Sequence, residues 1–270
     1  MKILLTNDDG ISSRGLFEAK QALDAVGDVA VIAPDSNRSA VGRGITIHRP
    51  LTVTEVELRD GTRGFATDGT PVDCVRFSDL GLVGERPDLI VAGINYGVNL
   101  GDDVTYSGTV AAAFEGIILG IPAIAVSQQS FDPGLDFRPK ERFDFGPAAA
   151  FLPVLVREVL ERGLPERTIL NVNVPHPPVS GVEVARLGRR IYRDRLELEA
   201  DEAGRRRYRI YGDDPSYHDE PGTDFQALAA GHIAVTPIHL DLTSAGALDE
   251  LSAWPLTPGR TPESDPGFTS

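Results

Sequence analysis

Cysteine is nearly missing from this chain: Cys74 is the single one in 270 residues, so no internal disulfide can form and a reducing compartment is expected. Long apolar runs are missing too. No stretch approaches the roughly 18 apolar residues of a membrane span, and the start carries no basic region followed by an apolar stretch and a small-residue cleavage site. A cytoplasmic protein without a membrane partner is the expectation. Lysine is scarce, confined to Lys2, Lys20 and Lys140, and the net charge is -14. That balance argues against polymeric nucleic acid as a partner, because a phosphate backbone attracts basic surfaces. An anionic small substrate would need a local cation.

Several chemical signatures are also lacking. The chain has no G-x-x-x-x-G-K-[ST], no G-x-S-x-G and no D-x-D, and GINYGVNLG does not have the G-x-G-x-x-G spacing of a dinucleotide fold. The histidines His48, His176, His218, His232 and His239 are scattered without metal-ligand spacing; His232, just before a strand-like run, is the one that could approach a site there.

What is present is a chain of ordinary apolar content, long enough for one α/β domain with an appendage. Strand-like and helix-like stretches alternate as a parallel sheet with crossover helices requires. KILLTN, Val29 to Ala33, Asp88 to Gly93, Ala123 to Ser127 and Ile169 to Val174 read as core strands. Gly15 to Val26, Asp73 to Leu82, Val110 to Leu119 and Phe145 to Arg162 read as helices. ITIH (45 to 48) and LTVTEVEL (51 to 58) read as an antiparallel excursion. After Pro175 the character changes. Arg189 to Tyr211 alternates polar with apolar residues around Asp-Glu-Ala-Gly, which predicts a long hairpin with little core of its own, an arm suited to a partner subunit. GHIAVTPI then reads as a strand, Ser244 to Trp254 as a helix, and Pro255 to Ser270 as a loose tail.

Three polar loops each follow a core strand: TNDDG, APDSNRSA and AGINYGVNLGDD. In open parallel sheets, ligands bind at the carboxyl ends of strands near the point where strand order reverses. Asp8, Asp9, Ser39 and Asn95 would bring carboxylate, hydroxyl and amide oxygens to one rim, a hard set suited to magnesium or manganese. Each residue also has a plainer reading: a turn for Asp-Asp-Gly and Asn95, a loop or capping hydroxyl for Ser39. Ser107, Gly108 and Thr109 directly precede the helix VAAAFEGIIL, whose free N–H groups and dipole would accept a phosphate, although Ser107 or Thr109 could equally be an ordinary N-cap. A metal and a helix start facing one phosphate would make a phosphomonoesterase, with Asp8 and Asp9 as its catalytic carboxylates.

The stretches LLTNDDGI (4 to 11), APDSNRSA (33 to 40), ATDGTPVDCV (66 to 75), AGINYGVNLGDDVTYSGTVAAAFEG (92 to 116), LNVNVP (170 to 175) and TDFQALAAGHIAVTPIHLDLT (223 to 243) together resemble the SurE family, stationary-phase survival proteins that act as 5'/3'-nucleotidases. The resemblance implies a Rossmann-like three-layer α/β sandwich with a mostly parallel central sheet and an extended C-terminal β-hairpin arm. It implies a single domain over 1 to 254, with a core (1 to 188), an arm (189 to 232), a return strand and helix (233 to 254), and a flexible tail. It further implies one divalent ion per subunit, Mg2+ or Mn2+, on Asp8, Asp9, Ser39 and Asn95. Asn99, Ser107, Gly108 and Thr109 would surround the phosphate of a nucleoside monophosphate. A homodimer or homotetramer joined through the arm would follow. The family's Tyr-Tyr-Trp-like arm cluster is replaced here by RRYRIYGDD, and the sole tryptophan, Trp254, lies elsewhere. A non-catalytic nucleotide-binding protein on the same fold is the alternative; a nicotinamide-dependent oxidoreductase lacks its glycine fingerprint.

Overall fold

The computed structural model describes residues 1–132, 142–210 and 215–256. Within it, the chain divides into a large unit, Met1–Leu240, and a small one, Asp241–Ser270.

The large unit starts with β1 (Lys2–Thr6), where Ile3 and Leu5 enter one side of the sheet and Leu4 the other, all three fully buried. Apolar residues on both faces are what a covered parallel strand requires. α1 (Arg14–Leu23) begins where the Ser13 hydroxyl accepts the Leu16 N–H. β2 (Asp28–Pro34) follows, then β3 (Val53–Glu57) and β4 (Arg63–Thr67). α2 (Pro71–Asp79) opens on a reciprocal cap between Thr70 and Asp73, with Pro71 in the first turn, where a missing N–H costs nothing. β5 (Leu89–Tyr96) leads through a short 3-10 turn, Gly101–Thr105, into α3 (Gly108–Ile118). Next come β6 (Ala123–Gln128), α4 (Gly146–Arg162), β7 (Thr168–Val174), β8 (Gly181–Val184), β9 (Arg190–Ile191), β10 (Glu197–Glu202), β11 (Arg205–Arg209), β12 (Ser216–Tyr217), α5 (Asp224–Ala229) and β13 (His232–His239).

Nine strands form one sheet in the order β3-β4-β2-β1-β5-β6-β7-β13-β8. From β4 to β7 all neighbours run parallel, while β3 and β13 are antiparallel to their partners β4 and β7. Chain order reverses between β1 and β5, and this crevice is where a parallel sheet places its ligands. α1 and α4 cover one face, with Leu16, Leu23, Leu152 and Val156 against Ile3, Leu5, Val91 and Val126. α2 and α3 cover the other, with Cys74, Val75, Val110 and Ala113 against Leu4, Ile90 and Ala125. The result is the expected three-layer α/β sandwich.

Some elements differ from expectation. ITIH (45 to 48) is not a strand; the antiparallel partner of β3 is Arg63–Thr67, and the polypeptide at 44 to 46 is instead tied to α2 by Thr70 Oγ1 donating to Gly44 O (2.8 Å) and Thr46 N–H donating to Asp73 Oδ1 (3.1 Å). α2 starts at Pro71 rather than Asp73, because Thr70 supplies the cap. The hairpin is present but shorter than expected, as β10 and β11 turning at Ala203 and Gly204, both with positive φ; Arg190–Ile191 pairs instead with Ser216–Tyr217, and β11 is exposed along its whole length. Its expected last residue, Tyr211, lies outside the described residues, as do 212 to 214 and most of the expected tail, 257 to 270. The described part of the small unit holds α6 (Ala245–Ser252), capped by Ser244 and with no buried residue. Among the described residues, no helix is long and apolar enough to cross a membrane.

Candidate active site

Asp8 and Asp9 follow β1 in a turn that the sequence builds locally. Asn7 Oδ1 accepts the Gly10 N–H at 3.1 Å, and Asn7 Nδ2 donates to Ser13 Oγ at 2.7 Å, which couples the turn to the start of α1. Gly10 closes it at φ +104°, a conformation side chains resist. Asp8 then reaches the N-terminus of α3. Its Oδ1 accepts the Thr109 hydroxyl at 2.6 Å and its Oδ2 accepts the Thr109 N–H at 3.2 Å. Gly108 makes this approach possible: a Cβ there would sit 2.8 Å from both Cβ and Oδ2 of Asp8. Asp9 reaches the other side of the switch point, where its Oδ2 accepts the Tyr96 N–H from the end of β5 at 3.1 Å.

Both carboxyls are held above their ordinary range. Burial does this for Asp8, despite its hydrogen bonds from Thr109. Burial and then the neighbouring Asp8 charge push Asp9 up to about 7. Among the described residues, no lysine or arginine forms an ion pair with either. Two adjacent carboxylates in this setting call for a cation.

The loop carrying Ser39 is pinned beside them. Arg38 N–H donates to Asp8 O at 2.6 Å, and Gly42 N–H donates to Tyr106 O at 3.0 Å. Ser39 itself is exposed; its N–H is held by Asn37 Oδ1 at 2.8 Å and its hydroxyl is not bonded to the carboxylates. Asn95, buried near the end of β5, donates its side-chain N–H to Gly97 O at 2.9 Å, which leaves its amide oxygen for another partner. Asn99 is the most firmly held residue of the rim. Its side chain donates to Ser127 Oγ (2.8 Å), its N–H to Asn173 Oδ1 (2.7 Å), and its carbonyl accepts from Asn171 Nδ2 (2.8 Å) and Asn173 Nδ2 (2.9 Å). Ser107 is the N-cap of α3, accepting the Val110 N–H at 3.1 Å, while the Thr109 hydroxyl is taken by Asp8. The strand ends therefore bring together Asp8, Asp9, Asn95, Asn99 and residues 107 to 109, with Ser39 on the adjoining loop.

Sequence reasoning missed the supports. Asn171 and Asn173 alternate with Val172 and Val174 on β7, both fully buried, and a pair of asparagines at i and i+2 in a core strand was the available signal. Asp224 at the start of α5 gathers the N–H groups of Gly101 (2.8 Å), Gly188 (2.8 Å) and Phe225 (3.0 Å). Asp102 accepts the Arg190 N–H at 2.8 Å, and Asp103 is paired with Arg190 and with the Tyr192 hydroxyl (2.9 Å). The two acids of GDD thus hold the base of the arm. His232 faces Glu183, with Nδ1 3.2 Å from its carboxylate, and makes no contact with Asp8 or Asp9.

A doubly wound α/β sheet with carboxylates at its switch point and a helix N-terminus beside them places the chain in the Rossmann-like class. The chain belongs to the SurE family, whose model, described as Survival protein SurE, matches residues 3–194. It is 51% identical over 260 residues to a protein named 5'-nucleotidase SurE from Rubrobacter xylanophilus, covering 95% of this chain and 98% of that one. A protein of the same name from Geobacter sulfurreducens is 46% identical, covering 98% of each. The crystal structure of SurE protein from Aquifex aeolicus superposes with a TM-score of 0.78 at 39% identity, over 93% of this chain and 98% of that one.

Proposed function

We propose that the chain is a divalent-metal-dependent phosphomonoesterase that hydrolyses nucleoside 5'-monophosphates to nucleoside and phosphate. The reading is carried by one observation: the Asp8 carboxylate, lying beside Asp9, is bonded to Thr109 at the N-terminus of α3. A cation for the two carboxylates and an anion for the helix start then share one place. The name 5'-nucleotidase carried by the relatives supports the same substrate class.

The donor set fits magnesium or manganese, one ion per subunit. Among the described residues no three His, Cys, Asp or Glu side chains cluster as metal ligands. Asp8, Asp9, the Asn95 amide oxygen and the Ser39 hydroxyl would hold the ion, two carboxylates balancing its charge and two neutral oxygens adding hard ligands. A bound divalent ion would neutralise phosphoryl oxygens and acidify a water. Asp8 anchors the site to α3, and Asp9, held by Tyr96 through Oδ2, has Oδ1 to orient the attacking water. The N–H groups at the start of α3, the Ser107 hydroxyl and the Asn99 amide would hold the phosphate as charge develops on it. The exposed hairpin β10–β11 is the surface through which two or four subunits would join.

The test is phosphate release from nucleoside 5'- and 3'-monophosphates and short polyphosphate, with magnesium or manganese and then with chelator. Asp8→Asn should lower turnover by at least about a hundredfold while thermal unfolding stays cooperative, since it removes one charge with little change in volume. Full activity of that variant, or release that survives chelation, would sink the reading.

A further inference from the structure

We infer that Phe131 and His176 form the platform on which the substrate's nucleobase stacks. This rests on the nucleotide reading above and names the part of the nucleotide that the carboxylate site leaves unaccounted for. The two rings lie beyond the ends of β6 and β7, with centroids 6.3 Å apart and planes inclined by 30°. Phe131 is 37% exposed, and the Arg142 guanidinium lies 5.2 Å from its ring centre. Base stacking on an aromatic face with a nearby arginine is how proteins hold an unpaired base.

The platform is built, not incidental. Gln129 N–H donates to Val174 O (2.8 Å) and Phe131 N–H to Arg142 O (3.0 Å). Gln128 Nε2 donates to the carbonyls of Val174 (3.2 Å) and Pro175 (3.0 Å), and His176 N–H donates to Gln129 Oε1 (3.2 Å). His176 Nδ1 lies 3.0 Å from Pro177 O, which fixes the ring. The same backbone continues into the phosphate side of the rim, because Gly97 N–H donates to Gln128 O at 3.1 Å.

Direction and distance agree. On the β2 side of the carboxylates stands the Ser39 loop, pinned through Arg38, Gly42 and the Arg43–Glu115 ion pair at 3.6 Å. Toward β6 and β7 the rim continues through Asn99, which bonds to Ser127 on β6 and Asn173 on β7. Adjacent strands lie about 4.8 Å apart, so the end of β6 is about 10 Å from that of β1, within reach of a base whose phosphate sits at Asp8.

The experiment compares AMP with ribose 5-phosphate, which keeps sugar and phosphate but has no base. Phe131→Ala and His176→Ala should each raise the ratio of KM for AMP to KM for ribose 5-phosphate about tenfold, and Phe131→Tyr should restore it. An unchanged ratio would overturn the assignment. So would equal losses on both substrates, the mark of a structural role. A wild type that turns over neither compound would count against the phosphatase reading instead. Calorimetric binding of AMP would then decide the platform separately, equal affinity of wild type and both variants overturning it.

Discussion

At the scale of single residues, Gly108 sets the geometry of the site. A methyl group there would sit at 2.8 Å from Asp8, and something must move: either α3 retreats or the carboxylate turns. Gly108→Ala should lower kcat/KM at least about tenfold while shifting the melting temperature by only a few degrees, measured by phosphate release and calorimetry on the same sample. A second residue-scale prediction concerns acid. Lys20 is buried, its Nζ 2.8 Å from Asp24 and 2.7 Å from Asp60. Burial alone would lower the Lys20 pKa, but the two carboxylates hold it above its ordinary value. Hydrogen bonds from Lys20 and Thr62 hold Asp60 well below the usual carboxylate range. A carboxyl depressed on folding stabilises the protein above its unfolded pKa, near 3.9, and loses that contribution as pH falls through its folded value. Asp60→Asn should therefore lower the melting temperature at pH 7, with the gap from wild type constant down to about pH 4 and closing below it. A gap that widened in acid would refute the pairing. That Asp8, Asp9, Asn95 and Ser107 to Thr109 stand close together was legible because local sequence places each at a strand end or helix start. Asn171 and Asn173 were not, since their role is defined by a loop 72 and 74 residues away.

At the scale of elements, the covered strands and the long helices were readable from apolar runs that a two-sided burial demands. β4 and β8 were harder: RGFAT and GVEV are short, carry glycine, and acquire their strand character from a neighbour rather than from a pattern. ITIH has the composition of a strand and lacks one, because its backbone is bonded to the cap of α2. That cap is a hinge point for prediction as well. Thr70 accepts the Asp73 N–H and donates to Gly44 O, so it joins the start of α2 to the segment following the Ser39 loop. Thr70→Ala should destabilise the protein by about 1–2 kcal/mol, the range of a lost N-cap. Thr70→Ser should restore most of it in denaturant unfolding. No recovery by serine would mean that the threonine methyl, not the hydroxyl, matters there.

At the scale of the whole molecule, β10 and β11 stand out as a hairpin with Leu196, Leu198, Tyr208 and Ile210 exposed. A two-stranded ribbon is marginal by itself, which is why the proposed oligomer has its interface there. Replacing 196–210 by a short Gly-Ser linker should leave the melting of the nine-stranded sheet nearly intact and reduce the mass measured by light scattering from an oligomer to a monomer. An unchanged mass would remove the hairpin from the interface.

The place of β13 has a further consequence, for the chain as it is synthesised. This strand is made after β8 yet inserts between β8 and β7. Until His232–His239 has left the ribosome, β7 presents an open edge and β8 has no neighbour in the main sheet. Asn171 and Asn173, which support Asn99, are already made by then, whereas Asp224, which fixes Gly101, follows that glycine by 123 residues. A nascent chain stalled before Thr223 thus carries Asp8, Asp9 and Asn99 but lacks Asp224 and the strand that closes β7, and that open edge exposes it to pairing with other chains.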